Sequence, residues 1–304
     1  MQKITYKMSK KEKKETIKGY LFISPWLIGF LLFTLYPMIF SLYSGFTFYD
    51  ITSIQKWIGL KNYINIFFHD EYFITALKNT AYYVIFSVPL AIIFALLLAL
   101  LLNTKVWGVK IFRTVYYLPS VLSGVAVTLL WMWIFNPSGG LANTLLGIIG
   151  INGPAWFNDP KWSKPALIIM RLWGVGGSMI LFLAALQDVP RSLYEAAEID
   201  GATGFKKFLH VTLPMISPTL LFVMITGING AFQIFDGPFI ISGGTGGPAN
   251  STLFYNLYLY NKAFLELQMG YASALAWVLF IIIMIFTGIQ LYVSKKWVHY
   301  EGGE

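Results

Sequence analysis

The sequence lacks cysteine and has little charge, and each shortage removes a class of chemistry. None of the 304 residues is cysteine, so the chain has no disulfide framework and no thiolate chemistry. Its three histidines, His69, His210 and His299, lie far apart in sequence and form no visible metal cluster. Charged residues make up only 12% of the chain, against roughly 25% in soluble domains.

A nucleotide-binding motif is also missing. The phosphate loop G-x-x-x-x-G-K-[ST] does not occur, and the nearest run, 201–207, lacks the required spacing. ATP must therefore be bound elsewhere, and no cofactor is expected in this chain. No nucleophile–base pair or metal constellation converges on one face, which argues against a membrane enzyme.

Apolar side chains are what the sequence has in abundance. Hydrophobic residues make up 57% and aromatic residues 17%, and the mean hydropathy is +0.64. A soluble fold could not cover so much apolar surface with so few charges. The net charge of +8 collects beside apolar segments, as in cytoplasmic loops of membrane proteins, so no nucleic-acid partner is expected. We therefore expect an integral membrane protein in contact with a lipid bilayer.

Six stretches are long and apolar enough to cross the hydrocarbon, which takes about 20 residues. Because backbone groups in lipid must be bonded within the segment, we expect helices and hence an all-α membrane protein. Pro25, Pro37 and Pro89 should bend the first two helices. The predicted spans, which together make one transmembrane domain over 20–294, are about 20–44, 80–103, 113–135, 165–187, 215–240 and 271–293.

Lysine and arginine are distributed unevenly between the two sets of loops. With the N-terminus in the cytoplasm, the inside segments hold 15 of the 22 basic residues and the outside loops hold six. Both tails, 1–19 and 295–304, are therefore predicted to be cytoplasmic. The inside segments are 1–19, 104–113, 188–214 and 294–304, and the outside loops are about 45–79, 136–164 and 241–270, with short helices expected at 60–68 and 141–149.

One inside segment, the 188–214 loop, has a helical pattern of its own. Pro190 stops the fourth span, and Ser192 is expected to cap a short helix with Glu195 as its capping-box partner. Gly201 ends that helix, and residues 202–209 begin another. A small apolar face is formed by Leu193, Ala196, Ala197 and Ile199. Two interpretations stay open on these grounds: docking into a groove of another protein, or a solvated amphipathic loop.

The 188–214 loop resembles the EAA loop of binding-protein-dependent ABC importer permeases. The residues that carry this resemblance are Glu195-Ala196-Ala197, Asp200-Gly201-Ala202, Phe205, Phe208, Leu213-Pro214 and Pro218. Further stretches resemble the carbohydrate-uptake branch of that family, the maltose-transporter F-type and glycerol-phosphate-transporter A-type permeases: Pro25 with Tyr36-Pro37, Leu118-Pro119-Ser120, 183–187, Phe235-Asp236, 245–248 and 270–274. The link through 242–244 is longer than the family pattern, which leaves the end of the fifth span open.

The resemblance implies a type I ABC importer permease fold with six transmembrane helices in a bacterial plasma (inner) membrane. In that family the EAA helix is the coupling helix, which sits in a cleft of a cytoplasmic ATPase subunit. Glu195 would pair with a basic residue there, and Gly201 would form the turn that leads back to Leu213 and Pro214.

The same resemblance implies partners. A second, similar permease subunit would complete the pore, so that this chain forms half of it and is itself no enzyme. Two cytoplasmic ATPase subunits would bind ATP and Mg. An extracytoplasmic sugar-binding protein would dock on the outside loops and deliver a sugar, which we expect to be an oligosaccharide.

A sugar path needs hydrogen-bonding groups and aromatic faces inside an otherwise apolar route. The spacing of four and three residues between Asn229, Gln233 and Asp236 predicts that they share one helix face. Glycines in the fourth span, around residue 174, permit a kink or a close backbone approach. The full set of path candidates is Ser120, Gly124, Arg171, Ser178, Asn229, Gln233 and Asp236.

Arg171 is the most specific of the candidate path residues because its charged side chain lies inside a predicted span. A charged side chain there costs roughly 2.5–3.5 kcal/mol on translocon scales and usually faces a cavity or a partner. Two interpretations stay open: contact with the substrate, such as the carboxylate of an acidic sugar, or a structural pair with Asp236 or a backbone carbonyl. A secondary transporter would couple through intramembrane acids, and only Asp236 approaches that role.

Overall fold

The computed structural model describes residues 9–104 and 108–299, and this part of the chain is mostly helical. Residues 1–8 and 300–304 of the two predicted tails, and 105–107 of an inside segment, lie outside the described residues. The helices are α1 (Lys10–Phe30), α2 (Tyr36–Ser44), α3 (Lys61–Phe68), α4 (Glu71–Leu102), α5 (Val109–Val121), α6 (Gly124–Ile134), α7 (Leu141–Ile148), α8 (Ser163–Trp173), α9 (Gly176–Asp188), α10 (Arg191–Ile199), α11 (Gly204–Lys207), α12 (Leu213–Met215), α13 (Ser217–Phe232), α14 (Asp236–Ser242), α15 (Tyr255–Tyr260) and α16 (Met269–Ser294).

Four stretches of the described chain are helices long and apolar enough to cross a membrane, and two bent helix pairs bring the number to as many as six. The pairs are α5 with α6 and α8 with α9. Each predicted span therefore has a helical counterpart. The four long stretches are Lys13–Ser44, Glu71–Leu102, Ser217–Ser242 and Met269–Ser294.

The helix of the second span, α4, begins at Glu71, before the predicted residue 80, and the polar side chains at that predicted start are hydrogen-bonded. The Asn79 amide donates to the carbonyls of Asn250 (2.8 Å) and Leu253 (3.1 Å). The Thr80 hydroxyl accepts the backbone N–H of Tyr255 (2.9 Å). A hydropathy pattern detects only the apolar part of such a helix, so the predicted start of the span falls inside α4.

The third span is broken, and its prediction as a single helix over 113–135 is wrong. Helices α5 and α6 meet at an angle of 102°. Leu122 and Ser123 between them have extended backbone angles, with ψ of 149° and 135°. Pro119 lies three residues before the bend and the Ser123-Gly124 pair lies at it, and both are common causes of sharp kinks.

The fourth span bends by 47° between α8 and α9, where the glycines predict a kink. Gly176 at the start of α9 lies directly against α5: a Cβ there would collide with the carbonyl oxygen of Tyr116. Only glycine permits this approach.

The fifth span is interrupted at 233–235, so the prediction that Asn229, Gln233 and Asp236 share one helix face is wrong. Helix α13 ends at Phe232, and Asp236 begins the separate helix α14. Helix α14 ends at Ser242, where Gly243 takes a left-handed conformation with φ of 59°. That glycine ends the span at the lengthened 242–244 link.

Two π turns precede prolines. In Leu31–Leu35, the N–H of Tyr36 reaches back five residues to the carbonyl of Leu31, and Pro37 follows. In Phe208–Thr212, the N–H of Leu213 likewise reaches Phe208, and Pro214 follows. Because proline has no N–H to continue the i→i−4 ladder, the widened turn absorbs the missing bond. A third π turn occupies Asn261–Leu265, and a 3₁₀ turn occupies Trp156–Asn158.

The segments that connect the spans carry short elements. The helices expected at 60–68 and 141–149 are confirmed as α3 and α7. A small antiparallel hairpin, β1 (Thr47–Phe48) with β2 (Lys56–Trp57), pairs Thr47 with Trp57 and was not predicted. Strands of two residues are too short to show an alternating pattern.

Two buried clusters hold the spans together. One joins the first half of α4 to α8, α15 and α16, with Phe73, Leu167 and Tyr255 at its centre. The other joins the second half of α4 to α9, and Ala95, Ala99 and Phe182 are fully buried in it. The first span differs: none of its apolar membrane-crossing window is buried against the rest of the chain.

Candidate functional sites: the 188–214 loop and the path cavity

The 188–214 loop is a helical hairpin whose first arm is α10. Pro190 occupies the N-cap position with extended backbone angles, and no side chain caps the helix. The expectation that Ser192 caps it with Glu195 as partner is therefore wrong. Proline in that position both ends α9 and starts α10 two residues earlier than predicted, because it cannot donate a backbone hydrogen bond but readily precedes a helix.

The first arm ends at Gly201, as predicted. Gly201 has a φ of 73°, its N–H donates to the carbonyl of Glu198 (3.0 Å), and the Ala202 N–H donates to the carbonyl of Ala197 (2.9 Å). These two bonds form a Schellman motif, in which a left-handed glycine closes the helix. The turn sends the chain back toward the membrane span through Leu213 and Pro214, which are both half-buried at the base of the loop.

Side-chain contacts tie the two arms together. The second arm starts at Gly204 rather than at the predicted residue 202. The Lys207 ammonium lies 2.6 Å from Glu198, and this hydrogen-bonded cation lowers the pKa of the Glu198 carboxyl below its ordinary 4.5. Near the base, the Tyr194 hydroxyl lies 2.9 Å from that of Thr212. The hairpin is thus linked at its tip and at its base.

The outer surface of the 188–214 loop exposes apolar side chains in a polar setting. Ile199 is 87% exposed and Phe205 is 71% exposed. Glu195, Ala196 and Asp200 are exposed beside them, while Ala197 is half-buried. Exposed apolar residues grouped on a short hairpin are typical of a surface that contacts another protein.

The broken helices border a cavity of about 490 Å³, which we call the path cavity. It lies where the α5–α6 bend, the end of α8 and the α13–α14 break come together. The structure brings five of the seven predicted path residues to its wall: Ser120, Gly124, Arg171, Gln233 and Asp236. Irregular backbone at membrane depth is tolerated where it lines a cavity, and this arrangement fits that rule.

Asp236 lies beside the first turn of α6. A Cβ placed on Gly124 would be 3.3 Å from the Asp236 carboxylate oxygen Oδ2, so the missing side chain makes room for the carboxylate. The amino end of a helix carries partial positive charge, which favours a carboxylate there. The wall thus presents a hydrogen-bond acceptor to the cavity.

Arg171 lies between the path cavity and a smaller pocket of about 210 Å³, which we call the Arg171 pocket. Its guanidinium donates to the carbonyl of Gly227 (3.1 Å) and lies over the Tyr83 ring, 5.7 Å from the centroid. Ser178 lines the Arg171 pocket. The ion pair with Asp236 is not formed; the backbone carbonyl is the partner that the structure shows.

Asn229 is the predicted path residue that the structure does not bring to either cavity. Its carbonyl accepts the Gln233 side-chain amide (3.2 Å), and its own Oδ1 is buried. Tyr83, which lines the path cavity and contacts Arg171, was missed. It is one of 18 tyrosines, and no sequence signal sets it apart.

A third cavity, of about 1120 Å³, lies among the loops at the start of α4, and we call it the loop cavity. Asp70 on its wall caps α4 by accepting the Phe73 N–H (3.0 Å) and accepts hydrogen bonds from the hydroxyls of Tyr258 and Tyr271. Burial, and next the bond to Asp70, raises the pKa of Tyr258. Lys262 lies over both tyrosine rings.

Comparison with known proteins identifies the class. The model of the family "Binding-protein-dependent transport system inner membrane component" matches residues 79–299, and the chain belongs to this family. It is 44% identical to the probable ABC transporter permease protein YesP of Bacillus subtilis, covering 98% of this chain and 97% of that protein. It is 38% identical to the lactose transport system permease protein LacF of Rhizobium radiobacter, covering 92% and 95%.

Solved structures agree with this assignment. A crystal structure of a bacterial alginate ABC transporter in complex with an alginate pentasaccharide-bound periplasmic protein superposes with a TM-score of 0.80 at 25% identity, covering 94% of this chain and 96% of that one. The chain is therefore a membrane permease subunit of a binding-protein-dependent ABC transporter, and the predicted fold class is confirmed.

Proposed function

We propose that this chain forms half of the pore of an ATP-driven importer of oligosaccharides. The 188–214 loop couples this pore to a separate ATPase. Relatives support the substrate class: their names include a lactose permease and an arabinooligosaccharide permease from Bacillus subtilis that is 34% identical over 90% of this chain. The coupling role is supported by the hairpin, whose two arms are joined by the Glu198–Lys207 ion pair and whose Ile199 and Phe205 side chains are exposed.

In this proposal the exposed end of the hairpin sits in a cleft of a cytoplasmic ATPase subunit. Glu195 pairs there with a basic residue, and the apolar side chains of Ile199 and Phe205 fill the cleft. The Glu198–Lys207 contact keeps the arms together, so that a movement of the ATPase displaces the hairpin as a unit. ATP and Mg belong to the two ATPase subunits.

The hairpin connects directly to the path cavity. Helix α9 enters the loop from one side, and α12 leaves it toward α13. The other ends of these spans lie at the α8–α9 bend and the α13–α14 break. Pulling on the hairpin therefore acts on Arg171, Gln233 and Asp236, and we propose that this movement opens and closes the route for the sugar.

A second, similar permease subunit completes the pore in this proposal. The apolar window of the first span is 0% buried within the chain, which supports a partner that covers it. The distribution of basic residues supports cytoplasmic ends for both tails and a cytoplasmic 188–214 loop. The sugar-binding protein then docks on the opposite side, where the loop cavity lies.

Reconstitution into liposomes tests the proposal. The chain is combined with a second permease subunit, ATPase subunits and a binding protein of the same transport system, and uptake of labelled sugar is measured. We expect uptake to require ATP and to ignore proton and sodium gradients. Gradient-driven uptake without any ATPase would instead identify a secondary transporter and overturn the proposal.

A matched pair of variants tests the coupling role in the same assay. Ile199→Glu places a charge on the exposed hairpin, and Ile54→Glu makes the same change at a residue that is 84% exposed in a loop at the other end of the spans. We expect Ile199→Glu to abolish ATPase binding and uptake and Ile54→Glu to retain the ATPase. Equal loss for both, or for neither, would contradict coupling through this surface.

A further inference from the structure

Arg171 has more hydrogen-bonding capacity than its surroundings use. A guanidinium carries five N–H donors; one is taken by the Gly227 carbonyl, and the group also interacts with the Tyr83 side chain, which leaves further donors unused. The charge lies over the face of Tyr83, which attracts a cation but does not neutralise it. Because Arg171 lines both the path cavity and the Arg171 pocket, its remaining donors are accessible to a ligand in the route.

No carboxylate of the described residues neutralises this charge. The ion pairs of the described chain are Glu198 with Lys207 and Glu266 with Lys262, and neither involves Arg171. Asp236 borders the same cavity but lies against α6 rather than against the guanidinium. A positive charge at membrane depth without an anionic partner marks a substrate or ion route.

The arrangement separates two kinds of contact in one cavity. Arg171 offers a planar pair of donors, the geometry that matches a carboxylate. Asp236 and Gln233 offer acceptors for hydroxyl groups. A cavity of about 490 Å³ lies within the range of small-molecule sites.

On this geometry we propose that the transported sugar is acidic and that Arg171 binds its carboxylate within the path cavity. The inference rests on the proposed function, because it names the substrate class of that same site. The sugar's hydroxyl groups then face Asp236 and Gln233, and its charge faces Arg171. A neutral sugar of the same size would leave the guanidinium unpaired.

The test uses paired probes in the reconstituted complex. Each labelled uronate oligosaccharide, from galacturonate, glucuronate, mannuronate and guluronate series, is compared with its carboxyl-reduced counterpart, which keeps every linkage and ring hydroxyl. We measure ATP-dependent uptake, and direct binding to the detergent-solubilised permease pair without the binding protein, so that selection by that protein is separated from selection by the pore.

We expect at least one acidic probe to be bound and transported about tenfold to a hundredfold better than its reduced form, the range for a charge-assisted hydrogen bond. Arg171→Gln should remove this preference, and Arg171→Lys should keep part of it, because lysine retains the charge but not the planar pair of donors. Lys164→Met is the matched control: Lys164 is another cation of α8, over the Tyr82 ring, and borders neither cavity.

The outcomes are distinguishable. If neutral sugars are transported with ATP as well as acidic ones, or if Arg171→Gln lowers both by the same factor, the inference is overturned while the proposed function stands. If no sugar of either kind is transported, the proposed function fails and the inference fails with it. Should Arg171→Gln not assemble, the preference of the unmodified complex and of Arg171→Lys decides.

Discussion

The Lys207 ammonium lies 2.6 Å from the Glu198 carboxylate, across the two arms of the hairpin formed by the 188–214 loop. The two residues are nine positions apart, and the Gly201 turn brings them together. The contact is exposed to solvent on the glutamate side. Its role is therefore to hold the arms in one arrangement rather than to add much stability, since exposed ion pairs contribute little.

The first prediction concerns the protonation of Glu198. Its pKa is lowered mainly by the Lys207 hydrogen bond and next by the Lys207 charge, so the pair is present above pH 4.5 and is lost as the pH falls through the lowered pKa. Lys207→Met should return the Glu198 pKa toward 4.5. The carboxyl signal of Glu198 in a pH titration by carbon NMR measures this, and Lys206→Met, at a neighbouring lysine, should leave the pKa lowered.

The second prediction concerns the turn at Gly201. Gly201→Ala should destabilise the hairpin by about 1–2 kcal/mol, because its left-handed φ of 73° is unfavourable for any side chain, although space for a Cβ is available. Gly204→Ala is the control, since that glycine lies in α11 and also has space for a Cβ. Hydrogen exchange of the hairpin amides should quicken in the first variant alone; similar exchange in both would contradict the turn's role.

The third prediction concerns the close approach of α9 to α5. Gly176→Ala should destabilise the protein by about 1–3 kcal/mol, because a Cβ there meets backbone atoms of Tyr116 and Tyr117, which cannot move aside alone. At the next residue, the Cβ of Gly177→Ala would have no atom within 4 Å, so this variant should leave the stability unchanged. Thermal unfolding of the detergent-solubilised protein compares the two, and a neutral Gly176→Ala would contradict the packing described.

The fourth prediction concerns Asp70, which joins the start of α4 to two tyrosines. Asp70→Ala removes the helix cap and the acceptor of both hydroxyl groups, and it should lower the unfolding free energy by about 2 kcal/mol or more. Asp70→Asn keeps a side-chain oxygen and should lose less. Unfolding by denaturant compares the losses of unfolding free energy in the two variants. Equal losses, or a larger loss for Asp70→Asn, would contradict the role of Asp70 as the shared acceptor.

Hydropathy and charge predicted the spans because lipid offers no hydrogen-bond partners. A segment that crosses it must therefore be a helix, which bonds its own backbone groups, with mostly apolar side chains. Local rules also predicted the Gly201 turn and the bend at the glycines of the fourth span. The sharp bend at Leu122 and Ser123 was not predicted, although Pro119 and the Ser123-Gly124 pair beside it are residues at which helices often kink. Proline and glycine also occur in membrane helices that stay continuous, so the sequence did not show that this span would bend by 102°.

The path cavity was predicted as a set of residues but not as a geometry. Ser120, Arg171 and Asp236 were chosen from separate spans, and the two helix breaks bring them to one wall. Asn229 was misplaced because continuous helical spacing was assumed across 233–235. The Asp70 cluster joins residues 188 and 201 positions apart, a pairing for which a single sequence carries no signal.

The central claim is that the 188–214 loop docks on a cytoplasmic ATPase. Labelling and cross-linking of a single introduced cysteine test this claim most directly. Because the chain has no cysteine of its own, Ile199→Cys introduces a single thiol at the exposed tip of the hairpin. We predict that a membrane-impermeant maleimide labels it only in opened cells, and that a short thiol cross-linker joins it to the ATPase subunit in the assembled complex. Labelling of Ile199→Cys from outside sealed cells, or an active complex without the cross-link, would contradict the account.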